Sequence, residues 1–101
     1  MTTTLPPEAK KALKELKPFV KRKNVLVREC AHYNWYCVCT IQALIRSDSV
    51  ESTYRLCNEL ADLLCLVLIQ CRGKIQVIEQ VDKLMGLICK IKLSCIKEEN
   101  I

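Results

Sequence analysis

Residues that interrupt regular secondary structure are scarce in this sequence. It has only two glycines and three prolines in 101 residues, and aromatic side chains make up 5%. This scarcity excludes a loop-rich or low-complexity chain. The two glycines also form neither a P-loop nor a GxGxxG turn, so these phosphate-binding motifs of nucleotide-dependent enzymes are absent.

Histidine and long apolar runs are equally scarce. Because the chain has one histidine, a cysteine nucleophile would have a single base to use, and we expect no enzymatic activity. The longest apolar stretch, 63–69, is much shorter than the ~20 residues of a membrane span. The N-terminus lacks the apolar region of a signal peptide. We therefore expect an intracellular protein in a reducing compartment, the cytoplasm, where its eight cysteines stay thiols.

Positive charge is plentiful and concentrated near the N-terminus. Residues 1–28 carry eight basic and two acidic side chains, a balance of +6, whereas the remaining residues carry eight basic and nine acidic ones, a balance of −1. This asymmetry predicts a polyanionic partner, and we favour RNA, contacted at its phosphates without sequence preference. The predicted nucleic-acid-binding residues are Lys10, Lys11, Lys14, Lys17, Lys21, Arg22, Lys23 and Arg28.

Three further sequence features bear on the location and the partners of the protein. The triplet at 21–23 matches a minimal nuclear-localisation patch, which adds the nucleus as an expected location. Tyr33, Trp35 and Tyr36 could stack on bases, although their expected place is the core or an interface. A membrane surface is a less favoured partner, because the basic helix has only small and medium apolar residues to insert.

Helical periodicity predicts two segments before residue 47. Pro7 opens a short basic helix over 7–17, whose apolar stripe includes Leu13 and Leu16, and Pro18 ends it. So short a helix is unstable alone and must dock on the rest of the protein or form on binding. Residues 25–46 are ambiguous: their apolar spacing favours a helix, whereas their content of Tyr, Trp, Val, Cys and Thr favours strands.

The strand alternative for 25–46 would create a zinc site. A β-hairpin that turns at Asn34-Trp35 places four potential ligands on one face, as a tetrahedral Cys₃His site requires. These ligands are Cys30, His32, Cys37 and Cys39. In a helix, however, Cys30 and His32 point about 200° apart and no such site exists. The helix is favoured, so no cofactor is expected unless the hairpin forms.

Two long helices are predicted after residue 47. Asp48 and Glu51 resemble a capping box that starts the first of them, and Gly73 follows its end at Arg72. Its second half is apolar all round, which predicts burial all round. The residues expected on its buried face are Val50, Tyr54, Cys57, Ala61, Leu64, Leu68 and Cys71.

The last helix, 74–97, carries a coiled-coil-like seam with Gly86 in its middle, where we expect another backbone to come close. The apolar surface of the two long helices exceeds what they can cover between them. This excess predicts a homodimer that closes a four-helix bundle. The predicted self-association residues are Leu66, Ile69, Val77, Val81, Leu84, Ile88 and Ile91.

These features predict an all-α protein with a basic N-terminal arm over 1–24 and a helical domain over 25–101, which contains a middle helix and a long antiparallel helical hairpin. The leading hypothesis is a non-enzymatic, regulatory RNA-binding protein. The alternative is a helical module that docks a partner helix in an apolar groove, and a third hypothesis adds a structural zinc at 30–39 to either.

The layout of a basic arm, a Cys/His cluster and a helical C-terminal part resembles the small cysteine-rich suppressors of RNA silencing of plant viruses. The resemblance implies a suppressor-type, RNA-sequestering role. The cysteine spacings of this chain differ from theirs, so no residue role is carried over.

Overall fold

Helices account for most of the chain that the computed structural model describes, which comprises residues 4–21, 24, 31–71 and 73–99. The α-helices within these ranges are α1, Pro7–Lys14; α2, Ala31–Arg46; α3, Val50–Gln70; and α4, Ile75–Glu99, and a short 3₁₀ helix, Lys17–Val20, follows α1. The predicted all-α class is therefore confirmed. The described ranges contain no strand, only an isolated bridge between Thr4 and Ser49.

The four helices form an elongated up-down-up-down bundle with extents of 43 × 20 × 18 Å. Helix α1 packs on α4 and α2, while α3 packs on α2 and α4, so each helix has two main neighbours. Two contacts show that α1 and α4 are antiparallel: Glu15 pairs with Lys90, and the Asn24 amide donates to Gln80 Oε1 at 3.1 Å. The fourth position of the bundle is thus filled by the chain's own N-terminal segment.

Helix α1 ends earlier than predicted, at Lys14 rather than at residue 17. The backbone N–H groups of Glu15 and Leu16 donate to carbonyls three residues back, so the helix tightens into 3₁₀ geometry before the proline. Pro18 has no N–H to donate and disfavours α geometry at Lys17. The shortened helix still docks, because Ala9 and Leu13 are buried in the common core as predicted.

The turn between α2 and α3 is held by serine and threonine hydroxyls. Ser49 is the N-cap of α3, and its Oγ accepts a hydrogen bond from the Ser52 backbone N–H at 3.2 Å. The prediction that Asp48 caps this helix is therefore wrong by one residue. Ser47 Oγ lies 2.7 Å from Thr53 Oγ1 and donates to the Leu44 carbonyl at 2.7 Å. These bonds satisfy the hydroxyl of Thr53, which is fully buried in the bundle.

The buried face of α3 is turned slightly from the predicted one. Val50, Cys57, Leu64 and Cys71 are buried as expected. The prediction is wrong at the other three positions, where Thr53, Leu60 and Val67 are buried in place of Tyr54, Ala61 and Leu68. Each of the three lies one residue earlier in the chain, because the actual stripe follows the positions that face both α2 and α4.

The predicted all-round burial of the second half of α3 is also wrong. Leu66, Leu68 and Ile69 are 41%, 38% and 64% exposed, respectively. The α3–α4 turn after them lies at one end of the bundle, and Gly73 adopts a left-handed φ of +89° there. An apolar surface thus remains at this end of the described structure.

Helix α4 buries its predicted seam completely, with Val77, Val81, Leu84, Ile88, Ile91 and Cys95 at most 2% exposed. The α3–α4 register is fixed by Lys92, whose Nζ donates to Asn58 Oδ1 at 2.7 Å and lies 5.0 Å from the centroid of the Tyr54 ring. Gly86 is exposed, and no atom of the described chain lies within 4 Å of a Cβ built there. The expectation of a close backbone at Gly86 is therefore wrong within the single chain.

The N-cap assignment can be tested by substitution. Ser49→Ala removes the acceptor for the Ser52 N–H and should lower the free energy of unfolding by about 1 kcal/mol. Asp48→Ala is the matched control and should cost no more than the ~0.5 kcal/mol of a charge near a helix N-terminus. Urea unfolding followed by circular dichroism measures both values. Equal losses in the two variants would contradict the assignment.

Candidate nucleic-acid interface

The lysines of the N-terminal segment lie on the solvent side of α1 and of the 3₁₀ helix. Burial of Ala9, Ala12, Leu13 and Leu16 against the bundle fixes the rotation of α1. The opposite face must then point to solvent, because the helix is amphipathic. The predicted binding residues that are exposed are Lys10, Lys11, Lys14, Lys17 and Lys21. The remaining predicted residues, Arg22, Lys23 and Arg28, lie outside the described residues.

Glu15, the C-cap of α1, lies on a different side of this segment from Lys10 and Lys14. Lys90 Nζ lies 3.5 Å from a carboxylate oxygen of Glu15, so the flank of α1 that carries Glu15 faces α4. Successive helical residues turn by about 100°, which places Lys10 and Lys14 about 100–140° away from Glu15. The side of α1 that carries Lys10 and Lys14 is thus turned away from Glu15. Lys11 lies on the Glu15 side, because these two residues are four apart in the chain.

Helix α2 extends this basic surface. It contains no acidic residue, and Arg46 in its last turn is exposed. Trp35 is 71% exposed and lies in the N-terminal part of α2. The Thr4–Ser49 bridge fixes the end of α2 beside the start of the chain, so that N-terminal part lies alongside the 3₁₀ helix, which packs on α2. We call the surface formed by the five exposed lysines and Arg46 the basic face.

The two halves of the sequence differ in charge. Residues 1–48 carry nine basic and four acidic side chains, a balance of +5, whereas residues 49–101 carry seven of each, a balance of zero. Arg46 is not among the predicted binding residues, because it lies far along the chain from the basic N-terminal segment. The lack of acidic residues throughout α2 was the signal that would have included it. Of the two places expected for Trp35 and the neighbouring Tyr36, the core is wrong, because both side chains are exposed in the single chain.

The zinc hypothesis loses the hairpin on which it depended. Residues 31–46 form α2, so the hairpin turning at Asn34-Trp35 is wrong and the favoured helix is confirmed for this range. Cys37 and Cys39 lie about 160° apart around that helix. Cys30 and the side chain of His32 lie outside the described residues. Among the residues that the structure describes, no three His, Cys, Asp or Glu side chains are grouped as metal ligands.

The predicted self-association residues separate into two groups. Val77, Val81, Leu84, Ile88 and Ile91 pack inside one chain and are at most 2% exposed. Leu66 and Ile69 are exposed near the α3–α4 turn. Contacts between two copies would therefore have to use exposed residues rather than the α4 seam.

Burial divides the cysteines by chemical character. Of the seven cysteines in the described ranges, Cys65 and Cys89 are exposed, whereas Cys37, Cys57, Cys71 and Cys95 are buried. Burial raises the pKa of the Cys37 thiol to about 11. Burial also raises the pKa of Cys57 to about 12, with smaller increases from the nearby Cys95 and Cys89 and an opposing effect of Lys92. Such thiols are poor nucleophiles at neutral pH, and Cys37 and Cys57 act as packing residues.

Comparison of the chain with known proteins gives no relative from which a function could be transferred: no family model, no curated protein and no solved structure matches it. No helix in the described ranges is both long and apolar enough to cross a membrane. The function of this chain is therefore inferred from the surfaces described above.

Thiol alkylation can test the burial pattern. Iodoacetamide added to the folded protein at neutral pH should modify Cys65 and Cys89 first, because both are exposed. Cys37, Cys57, Cys71 and Cys95 are buried and should react only after unfolding in urea. Peptide mass mapping over time measures the order. Early modification of Cys57 would contradict the packing of α3 on α4.

The raised pKa of Cys57 predicts a dependence of stability on alkaline pH. The unfolded thiol loses its proton near its ordinary pKa of 9.0, whereas the folded thiol keeps it to about 12. The contribution to stability is therefore complete below pH 9 and is lost as the pH rises through this window. Cys57→Ala should lower stability at pH 8 but reduce the further loss toward pH 11. Cys65→Ala, at an exposed position, is the control and should keep the wild-type slope.

Proposed function

We propose that this protein binds RNA without sequence specificity, by holding the phosphate backbone against the basic face. The observation that carries the proposal is the clustering of exposed positive charge: residues 10–21 expose five lysines, Lys10 and Lys14 lie away from Glu15, and α2 adds Arg46 without any acidic residue. Docking of α1 holds these lysines on a folded surface. Less ordering entropy is therefore lost on binding than for a disordered basic tail.

Electrostatic contacts of this kind make a defined prediction about salt. Each lysine that neutralises a phosphate releases condensed counterions, so the logarithm of the affinity falls linearly with the logarithm of the salt concentration. Such contacts position a nucleic acid but do not read its bases. Non-specific sequestration of RNA, as in a regulatory or suppressor-type protein, is the role that such binding would serve.

The exposed indole of Trp35 favours RNA with unpaired bases. An aromatic ring with 71% exposure beside a basic surface offers a base a stacking partner. Unstacked bases occur in single-stranded loops and ends, which are the usual targets of protein recognition in RNA. Trp35 is the single tryptophan of the chain, so its fluorescence reports directly on this surface.

The proposal predicts a salt-dependent loss of binding in a lysine variant. Lys14→Gln/Lys17→Gln should weaken binding of single-stranded RNA and reduce the slope of log affinity against log salt by about 1.4, at about 0.7 for each lost phosphate contact. Fluorescence anisotropy of a labelled RNA measures affinity across a salt series. Lys74→Gln/Lys83→Gln removes the same charge from exposed positions at the turn and on α4 and should leave the slope nearly unchanged.

A second pair of variants separates stacking from charge. Trp35→Ala should cost about 1–3 kcal/mol of binding to single-stranded RNA and much less to duplex RNA, whereas Trp35→Phe should keep most of the affinity. Circular dichroism checks that the variants remain folded. Absence of binding by the wild-type protein at low salt, or equal losses in both lysine pairs, would refute the proposal.

The second candidate is a helical module that docks a partner helix. The observation that favours it is the apolar surface near the α3–α4 turn, where Leu66, Leu68 and Ile69 are exposed. A helix that lays an amphipathic face on such a surface would use the common i, i+3, i+4 anchors. If RNA binding is absent at low salt, this candidate becomes the leading one.

A further inference from the structure

The outer side of α4 has apolar residues toward both ends and a glycine between them. Ile75, Ile78 and Leu93 are 69%, 42% and 59% exposed. Gly86 lies midway between Glu79 and Leu93 in the sequence. It is exposed, and apart from its own stretch of helical backbone no atom of the described residues lies within 4 Å of a Cβ built on it. Glycine lowers helix propensity, and nothing in the described part of the chain makes use of its missing side chain.

We propose that this side of α4 binds the same side of α4 in a second copy of the chain, antiparallel, with the two-fold axis passing at Gly86. Such an axis places each residue opposite the one equally distant from Gly86 on the other copy. Leu93 then lies opposite the partner's Glu79, one turn or less from the partner's Ile78 and Ile75. The exposed apolar residues of α4 are thereby covered at both ends of the contact.

Charge complementarity selects the antiparallel arrangement. Among the residues of α4 whose exposure is described, the acidic ones, Glu79 and Asp82, lie before Gly86. Lys90 lies after it; its Nζ is 3.5 Å from a Glu15 carboxylate oxygen, and its side chain is 59% exposed and so remains within reach of a partner. Among the described residues neither acidic side chain forms an ion pair. The two-fold axis at Gly86 places Asp82 opposite the partner's Lys90, and this pair occurs twice. A parallel arrangement would instead place Asp82 beside Asp82 and Lys90 beside Lys90.

Gly86 accounts for the point at which the helices cross. Because glycine has no Cβ, two helix backbones that cross at Gly86 can approach each other more closely than they could at any other residue type. The contact also leaves the basic face free, because the outer side of α4 points away from α2. A dimer would then present two basic faces to one polyanion. The dimer does not depend on RNA binding, and either proposal can fail without the other.

Sedimentation of a concentration series of the wild-type protein and charge variants tests the contact. The wild-type protein should shift from monomer to dimer as its concentration rises. Asp82→Lys should weaken the dimer at least ten-fold by opposing Lys90, whereas the exchange Asp82→Lys/Lys90→Asp should restore it. Because Lys90→Asp also removes the Glu15–Lys90 pair, circular dichroism checks that both variants keep the wild-type fold. Glu59→Lys, on the exposed side of α3, is the matched control and should sediment as the wild type does. A monomer at every concentration, or no rescue by the exchange, would overturn the proposal.

A cross-link locates the axis independently. In a background of Cys65→Ser/Cys89→Ser, Gly86→Cys should give a covalent dimer when oxidised glutathione accepts the two electrons of disulfide formation. Glu59→Cys in the same background should remain monomeric under these conditions. Circular dichroism of both proteins checks the fold. Equal cross-linking at the two positions would show random collision and would contradict a two-fold axis at Gly86.

Discussion

The docking of α1 on the side of α4 and α2 is the contact on which the rest of the structure depends. The α4 seam is too wide for α3 to cover, and α1 is too short to persist alone. Ala9 and Ala12 are fully buried, so the backbone of α1 lies close to the bundle, with Leu13 and Leu16 filling the space beside it. The same contact covers the seam and determines which way the lysines point.

This arrangement separates the surfaces of the protein by chemistry. Residues 1–48 have an excess of positive charge and include the exposed Trp35, while residues 49–101 have balanced charge and include the exposed leucines and isoleucines. The lysines remain in contact with water because they lie on the face of an amphipathic helix opposite its buried residues. A polyanion on one side and a second copy on the other would therefore not compete for the same surface.

Much of the secondary structure follows from local sequence. The four-three apolar spacing of α4 predicted each of its buried seam residues, because a helix in contact on one side buries one stripe. The hydroxyl-rich turn at 47–49 marked the start of α3, although the cap proved to be Ser49. For residues 31–46 propensity favoured strands, yet periodicity predicted the helix correctly, because side-chain packing outweighs weak intrinsic preferences.

The sequence by itself determined the helical class, the stripe on α4 and the concentration of positive charge near the N-terminus, since each depends on spacing and composition alone. Only the tertiary structure decided which apolar residues stay exposed, among them Trp35, Leu66 and Leu93. Exposure depends on which neighbours a helix has and where they end, and these are properties of long-range packing. The same packing turned this segment so that Glu15 faces α4, whereas Lys14, adjacent in the chain, points about 100° away from it.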